Sequence, residues 1–307
     1  MTERKITNLS ASIRQRLLTY AQASERPFQE VLQYYAMERF LFRLSVSPYC
    51  DKFILKGALM LIAWGGPSSR PTRDIDLLGH LPNKMETLVE IIREICLQEV
   101  ELDALIFDSA SATGMVIKED ADYEGVRITF RGSLDNIPIP MQIDIGFGDI
   151  VFPAALVTEY PVILNHSRPK LRCYSRETAI EEKFEAMVKL GFLNSRMKDF
   201  FDIWLLSRQF EFDGATLAEA IQKTFANRGT SIADRPTAFS FEFSNEAAKV
   251  MQWQAFVRRL RADSTTPDLN SVCKSIRAFL SPPAAALIAG IPFSGAWRYS
   301  GPWVEVS

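Results

Sequence analysis

The sequence predicts an α+β protein: a small mixed sheet packed by N-terminal helices, followed by a helical C-terminal domain. Three observations lead there. Apolar residues recur at helical spacing before the first glycine turn. Short β-rich runs separated by Asp, Gly and Pro occupy the stretch from Gly114 to Ile145. After Tyr174 the helical period returns and persists. With 307 residues the chain holds about two domains by the usual length prior. The expected division is 1–160 for the N-terminal helices and core, and 161–307 for the helical part. It falls in the Pro-, Asn- and Arg-rich stretch from Phe152 to Tyr174.

Taken in order, Ile13, Leu17, Leu18 and Ala21 mark a helix from about Leu9 to Ala23. Pro27 opens a second, carrying Val31, Leu32, Tyr35, Met37, Phe40 and Leu41. A third, short helix starts near Gly57 and ends around Trp64, where Gly65-Gly66-Pro67-Ser68-Ser69 reads as a loop. Asp74 to Leu78 reads as a strand. Lys84 to Leu97 is amphipathic, with Leu88, Ile91, Ile92 and Ile95 on its apolar side. Gly114–Lys118, Gly125–Phe130 and Ile139–Ile145 are the β-rich runs. Ser175 is the expected N-cap of a helix from Glu177 to Leu190, with Gly191 stopping it. Asn194 or Ser195 can cap the next helix through Arg208, and Asp213 another through Ala226. Two more helices fit Asn245–Leu260 and Leu269–Leu280. The turn-rich end carries Phe293, Trp297, Tyr299 and Trp303, read as core aromatics or as a docking surface.

Composition excludes several classes. The net charge of -2 argues against a generic nucleic-acid coat, which usually carries a large positive excess. The four cysteines form no CxxC pair, which argues against a disulfide frame or a zinc site. Two histidines cannot build a multi-histidine centre, so any metal should be hard and oxygen-bound. Met1-Thr2-Glu3-Arg4-Lys5 leads into a polar helix, not an apolar run, and no window reaches about 18 uninterrupted apolar residues. The expectation is a cytoplasmic protein with no membrane partner.

Four elements could carry chemistry. The first is Lys56-Gly57-Ala58 followed by Arg73-Asp74-Ile75-Asp76. On a strand, Asp74 and Asp76 project from one face, and two such charges call for a cation between them. The plainer alternative is a solvated pair beside Arg70 and Arg73. The second is Asp144, which alternation places with Gln142 opposite Ile143 and Ile145. It could complete a metal shell or act as base on an attacking hydroxyl, or it could lie on an ordinary exposed strand face. Asp149, after Gly146 and Gly148, is a weaker competitor. The third is Lys183, bordering an apolar helix face where it could meet phosphate oxygens, although most such lysines are only solvated. The fourth is Arg196, Asp199 and Asp202, which share one side of a helix otherwise full of Phe, Ile, Trp and Leu. That is an ion-pair ladder or a set of residues orienting something specific.

Together, and in this order, these motifs resemble the AbiEii/AbiGii-type nucleotidyltransferase toxins, a branch of the DNA polymerase β-like superfamily. The carrying segments are Lys56-Gly57-Ala58-Leu59 with Arg73 to Leu77, Gln142 to Ile145, Tyr174-Ser175 through Lys183, and Asn194 through Asp202. The resemblance implies a polymerase β-like core joined to a helical C-terminal domain. It implies a toxin of a two-gene toxin–antitoxin or phage-defence system, with an antitoxin partner, which transfers NMP from an NTP to the 3′ acceptor end of tRNA. By position, Asp74, Asp76 and Asp144 would hold Mg²⁺ or Mn²⁺. Lys183 would match the essential lysine, and Asp199 with Asp202 the acidic fourth motif. Lys56, Gly57, Ala58, Arg73, Lys183 and Arg196 would line the nucleotide. Arg70, Arg73, Arg127, Arg131, Arg168, Lys170 and Arg172 could line a groove for the acceptor. One departure stands out: the superfamily often has Gly-Ser where this chain has Gly57-Ala58, so backbone N–H groups must hold the phosphate alone. The alternatives are transfer to a protein or small-molecule hydroxyl, a catalytically lapsed nucleotide-binding protein, and a DxD glycosyltransferase, which gives no role to Lys183, Asp199 or Asp202.

Overall fold

The computed structural model describes residues 8–65, 71–120, 123–260 and 266–305. The N-terminal Met1–Lys5, the loop from Gly66 to Ser69 and Arg70 therefore lie outside the described residues. Two compact units emerge. One comprises Met1–Gly148 with Leu156–Cys173, the other Asp149–Ala155 with Tyr174–Ser307. The sequence expectation drew a single division at 160/161. Here residues 156–173 group with the first unit, and the excursion 149–155 with the second.

The first unit opens with helices α1 (Leu9–Ala23) and α2 (Phe28–Val46). Asn8 caps α1 by accepting from the Ala11 amide, and Pro27 precedes α2 as expected. Strand β1 (Phe53–Lys56) then runs into the short helix α3 (Leu59–Ala63). After β2 (Ile75–Gly79) come α4 (Met85–Leu97) and the strands β3 (Leu105–Asp120), β4 (Tyr123–Leu134) and β5 (Ile137–Gly146). The unit closes with β6 (Leu156–Glu159) and β7 (Lys170–Cys173). All seven strands form one sheet in the order β3-β4-β5-β2-β1-β7-β6. The pairs β2·β5 and β1·β7 are parallel and the rest antiparallel.

Three expectations need correction here. The β-rich runs are not short, because β3 and β4 form a long antiparallel ribbon. Phe53–Lys56 was not anticipated as a strand, nor were the two strands inside Phe152–Tyr174. The reason is local: β1 is buried at every position, so it lacks the alternation that marks a half-buried strand.

Alternation on β4 and β5 positions the site. Val126, Ile128 and Phe130, with Met141, Ile143 and Ile145, are buried on one face, where the sheet packs against α2 and α4. Arg127, Thr129 and Arg131, with Gln142 and Asp144, therefore point to the other face. Beneath the sheet, α2 carries two buried arginines. Arg43 and Arg39 both reach Asp103, at 2.6 and 3.3 Å.

The second unit contains α5 (Arg176–Leu190), α6 (Met197–Gln209), β8 (Phe212–Asp213), α7 (Gly214–Asn227), α8 (Phe241–Asn245), α9 (Ala247–Val257), α10 (Leu269–Ala289), β9 (Gly295–Trp297) and β10 (Trp303–Glu305). Ser175, Asp213 and Asp268 cap their helices by accepting backbone N–H bonds, and Gly191 ends α5 with φ +50. Arg196, not Asn194 or Ser195, occupies the cap position of α6. Asn194 instead accepts from the Arg196 amide at 2.8 Å. The expected Asn245–Leu260 helix is α9, starting after its cap Glu246 and ending at Val257, and the short α8 ahead of it was not anticipated. Helix α10 runs nine residues past its expected end and through Pro282 and Pro283, because its buried face continues with Pro283, Ala284 and Ala286. Alone among the described residues, α10 has the length and hydropathy of a membrane span. Its Val272, Ile276, Phe279 and Leu280 are buried within the unit. Trp297 and Trp303 pack on Phe279, and their indole N–H groups donate to the Ser207 and Phe279 carbonyls. Trp297 is a core residue and Trp303 is half-buried, whereas Tyr299 is exposed.

Candidate active site

In the first unit the sheet register lines up four charged residues. Lys56 on β1 is opposite Asp76 on β2, Asp76 is opposite Asp144 on β5, and Asp144 is opposite Arg127 on β4. Cross-strand neighbours share a face, so the row reads cation, anion, anion, cation. Asp74, one residue ahead of β2, is opposite none of them but projects beside Asp76. One carboxylate oxygen from each of Asp74, Asp76 and Asp144 lies within 4.8 Å of the others.

Each carboxylate has its own support. Arg127 donates to both oxygens of Asp144, Nε to Oδ1 at 2.8 Å and Nη2 to Oδ2 at 2.7 Å. The Gln142 amide lies 3.3 Å from both. Asp144, with Asp74 and Asp76 acting from further away, raises the Arg127 guanidinium above its ordinary pKa. Asp74 accepts a very short hydrogen bond from the Thr72 hydroxyl, and the Thr72 amide donates to the Tyr34 hydroxyl at 3.0 Å. Asp76 rests against Gly57. That glycine has φ +73, and a methyl group on it would fall 1.9 Å from Asp76 Oδ2. Only glycine satisfies both the left-handed turn and the close carboxylate. Ala58, at the start of α3, makes no side-chain cap.

The donor set fits a hard divalent cation. It offers carboxylate oxygens with no His or Cys ligand, converging from adjacent strands. Three carboxylates this close repel one another, and a divalent cation among them offsets that repulsion.

The second unit gathers the other expected residues. Lys183 on α5 places its Nζ 3.0 Å from Asp199 and 3.0 Å from Asp202, both on α6. Arg196 reaches Asp199 at 2.6 Å. Burial pushes the Asp199 carboxyl up, but Lys183, Arg196 and Lys198 outweigh it and hold its pKa below the usual value. A separate cluster centres on Arg228, which pairs with Asp149 at 2.7 Å, Glu185 at 2.8 Å and Glu182 at 3.7 Å. Burial opposes the Arg228 charge, yet Glu182, Asp149 and Glu185 outweigh it and raise its pKa. Asp149, the weaker competitor in the sequence, belongs to this cluster and not to the triad.

Of the residues expected in an acceptor groove, Arg127 is taken up by Asp144. Arg168 and Lys170 pair with Glu159, and Arg172 donates to the Asp51 carbonyl. Thr72 and the clasp of Arg127 on Asp144 were not anticipated. Only a β4–β5 register could have pointed to the clasp.

The family model described as nucleotidyl transferase AbiEii toxin, type IV toxin–antitoxin system, matches residues 39–280. This chain belongs to that family. It is therefore a nucleotidyltransferase of the toxin class, and the matched segment contains the triad, Lys183 and the α6 carboxylates. Two crystal structures from Helicobacter pylori are distantly similar. One is of a protein assigned as a nucleotidyltransferase, with TM-score 0.45 and 16% identity, covering 86% of this chain and 96% of that one. The other is JHP933, with TM-score 0.44 and 16% identity, covering 85% and 97%. No curated protein matches significantly.

Proposed function

We propose that this AbiEii-family enzyme transfers a nucleoside monophosphate from an NTP to an RNA 3′-hydroxyl, with the tRNA acceptor end as target. The observation that carries the reading is the convergence of Asp74, Asp76 and Asp144, one oxygen each within 4.8 Å. In this reading they hold Mg²⁺ or Mn²⁺, which when bound stabilises charge on the transferring phosphoryl oxygens. Gly57 and Ala58 offer backbone N–H groups to the triphosphate, with Lys56 as a nearby charge. Lys183 is the essential lysine of this reading. Asp199 and Asp202 fix the position of its amine, and Arg196 shares the charge of Asp199. The hydroxyl oxygen bonds to the α-phosphorus, the bond to the β-phosphate breaks, and pyrophosphate leaves. Asp144 helps the hydroxyl lose its proton, with Arg127 keeping the carboxylate in place. The toxin–antitoxin context supplies a cognate antitoxin, and the cytoplasm is where target and antitoxin would meet.

Mass analysis of tRNA 3′ ends after brief expression tests this directly. The wild type should add one or more nucleotides and Asp76→Ala none. Unmodified tRNA ends alongside labelled protein or metabolites in the same cells would move the acceptor to another hydroxyl.

A further inference from the structure

The triad has two dissimilar flanks. On the β1 side lies the Gly57 turn. On the other side the outward row of β4 and β5 continues from Arg127–Asp144 to Thr129–Gln142 and then to Arg131–Pro140. There the sheet face opens into a cavity of about 570 Å³, lined by Gln33, Arg73, Ser111, Thr129, Arg131 and Gln142 among others. That is within the size range of small-ligand sites. Gln142 joins the cavity to the triad through its contacts with Asp144. Gln33 is buried, and its amide donates to the Pro140 carbonyl at 3.0 Å, which fixes the cavity wall. Two arginines stand at the rim. Arg73 is exposed beside Asp74, and Arg131 is 74% exposed with the exposed Asp108 as its partner at 2.8 Å.

Phosphoryl transfer proceeds with the attacking and leaving oxygens roughly in line. With pyrophosphate departing on the Gly57 side, the attacking hydroxyl must approach from the β5–β4 side, where this cavity lies. We propose that the cavity receives the 3′-terminal nucleotide of the RNA acceptor. Arg73 and Arg131 meet its backbone phosphates. Thr129, Ser111 and Gln142 offer hydrogen bonds to the ribose 2′-hydroxyl and the base edge. A terminal, unpaired nucleotide is the form of RNA whose edges and 2′-hydroxyl a protein can read this way. Local cations serve here despite the acidic total, because phosphate contacts act at short range in salt. The inference rests on the RNA-acceptor reading above and assigns it a site.

Initial-rate kinetics with labelled NTP and a short RNA ending in CCA test it, together with anisotropy of the same RNA carrying fluorescein. Arg131→Glu should raise the KM for RNA about tenfold, leave the KM for NTP unchanged, and lower the salt dependence of RNA binding by about one phosphate contact. Arg131→Lys should restore most of the affinity. Thr129→Arg, which fills the cavity from an exposed strand position, should also raise the RNA KM. If wild type labels RNA and neither Arg131→Glu nor Thr129→Arg changes the RNA KM, the cavity assignment is wrong and the RNA reading stands. If wild type labels only protein or metabolites, both fall together.

Discussion

The two units each bring carboxylates and cations together, but they place the cation differently. Around Asp74, Asp76 and Asp144 the cations of the protein stand at the ends of the row, Lys56 on one side and Arg127 on the other. Asp76 and Asp144 are the middle members of that row. In the second unit Lys183 sits between Asp199 and Asp202, and Arg228 sits among Asp149, Glu182 and Glu185. There the chain supplies the central charge itself. The lesson is that clusters of like composition differ in how the chain arranges its own cations around the carboxylates.

That contrast can be broken most forcefully at Asp199. Removing one partner of a buried, internally matched pair leaves an uncompensated charge, at a cost of about 3–5 kcal/mol. Asp199→Asn should lower the urea midpoint accordingly. A midpoint within experimental error of wild type would mean that the α5–α6 network holds nothing together.

Asp74→Asn should behave in the opposite way. In metal-free protein it relieves crowding among like charges, so stability should not fall. Nucleotidyl transfer should drop by about two to three orders of magnitude, the loss of part of the several kcal/mol a metal ion contributes to the transition state. Mg²⁺ should raise the melting temperature of wild type and not of the variant. A metal-free Asp74→Asn protein that is much less stable than wild type would erase the distinction between the two clusters.

Arg127 lies one step out from the proposed metal, and such residues typically affect metal affinity or activity by about 10–100-fold. Arg127→Gln should weaken Mn²⁺ binding, read by titration of the Mn²⁺ signal in electron paramagnetic resonance. Stability should change by less than about 1 kcal/mol, because the guanidinium is 36% exposed.

The last contrast concerns two buried carboxyls, one in each unit. Burial raises Glu38 to about 8 and Glu181 to about 9, from an ordinary 4.5. Both bind a proton more tightly when folded. Their contribution to stability is therefore complete below about pH 4.5 and declines as pH rises toward those values. Glu38→Gln and Glu181→Gln should each flatten the fall in stability between pH 5 and 8. An unchanged slope would show that the carboxyl in question finds water or a cation in solution.

Much of this arrangement was legible in the sequence because it is periodic or capped. The Asp74–Asp76 spacing fixed a shared direction, alternation put Asp144 opposite Ile143 and Ile145, and Ser175 and Gly191 bounded the lysine helix. What stayed hidden depends on pairing across distance. Nothing in Arg127 alone reveals that β4 lies beside β5 in the register that delivers its guanidinium to Asp144. Nor does the sequence show that Asp76 presses on Gly57. Strand β1 was missed because a buried run of four apolar-flanked residues has no period to read, and α10 outran its prolines because packing overrode propensity.

The order of the strands along the chain carries a practical consequence. After Gly148 the polypeptide leaves the sheet, contributes seven residues to the helical unit, and returns to lay down β6 and β7 before departing for good at Tyr174. No single cut yields two intact halves. Ending the protein at Gly148 strips the sheet of one edge. Starting it at Tyr174 deprives Arg228 of Asp149. Isolating either half would require grafting a segment from across the break, and genes that exchange these modules by simple recombination would pass on neither one whole.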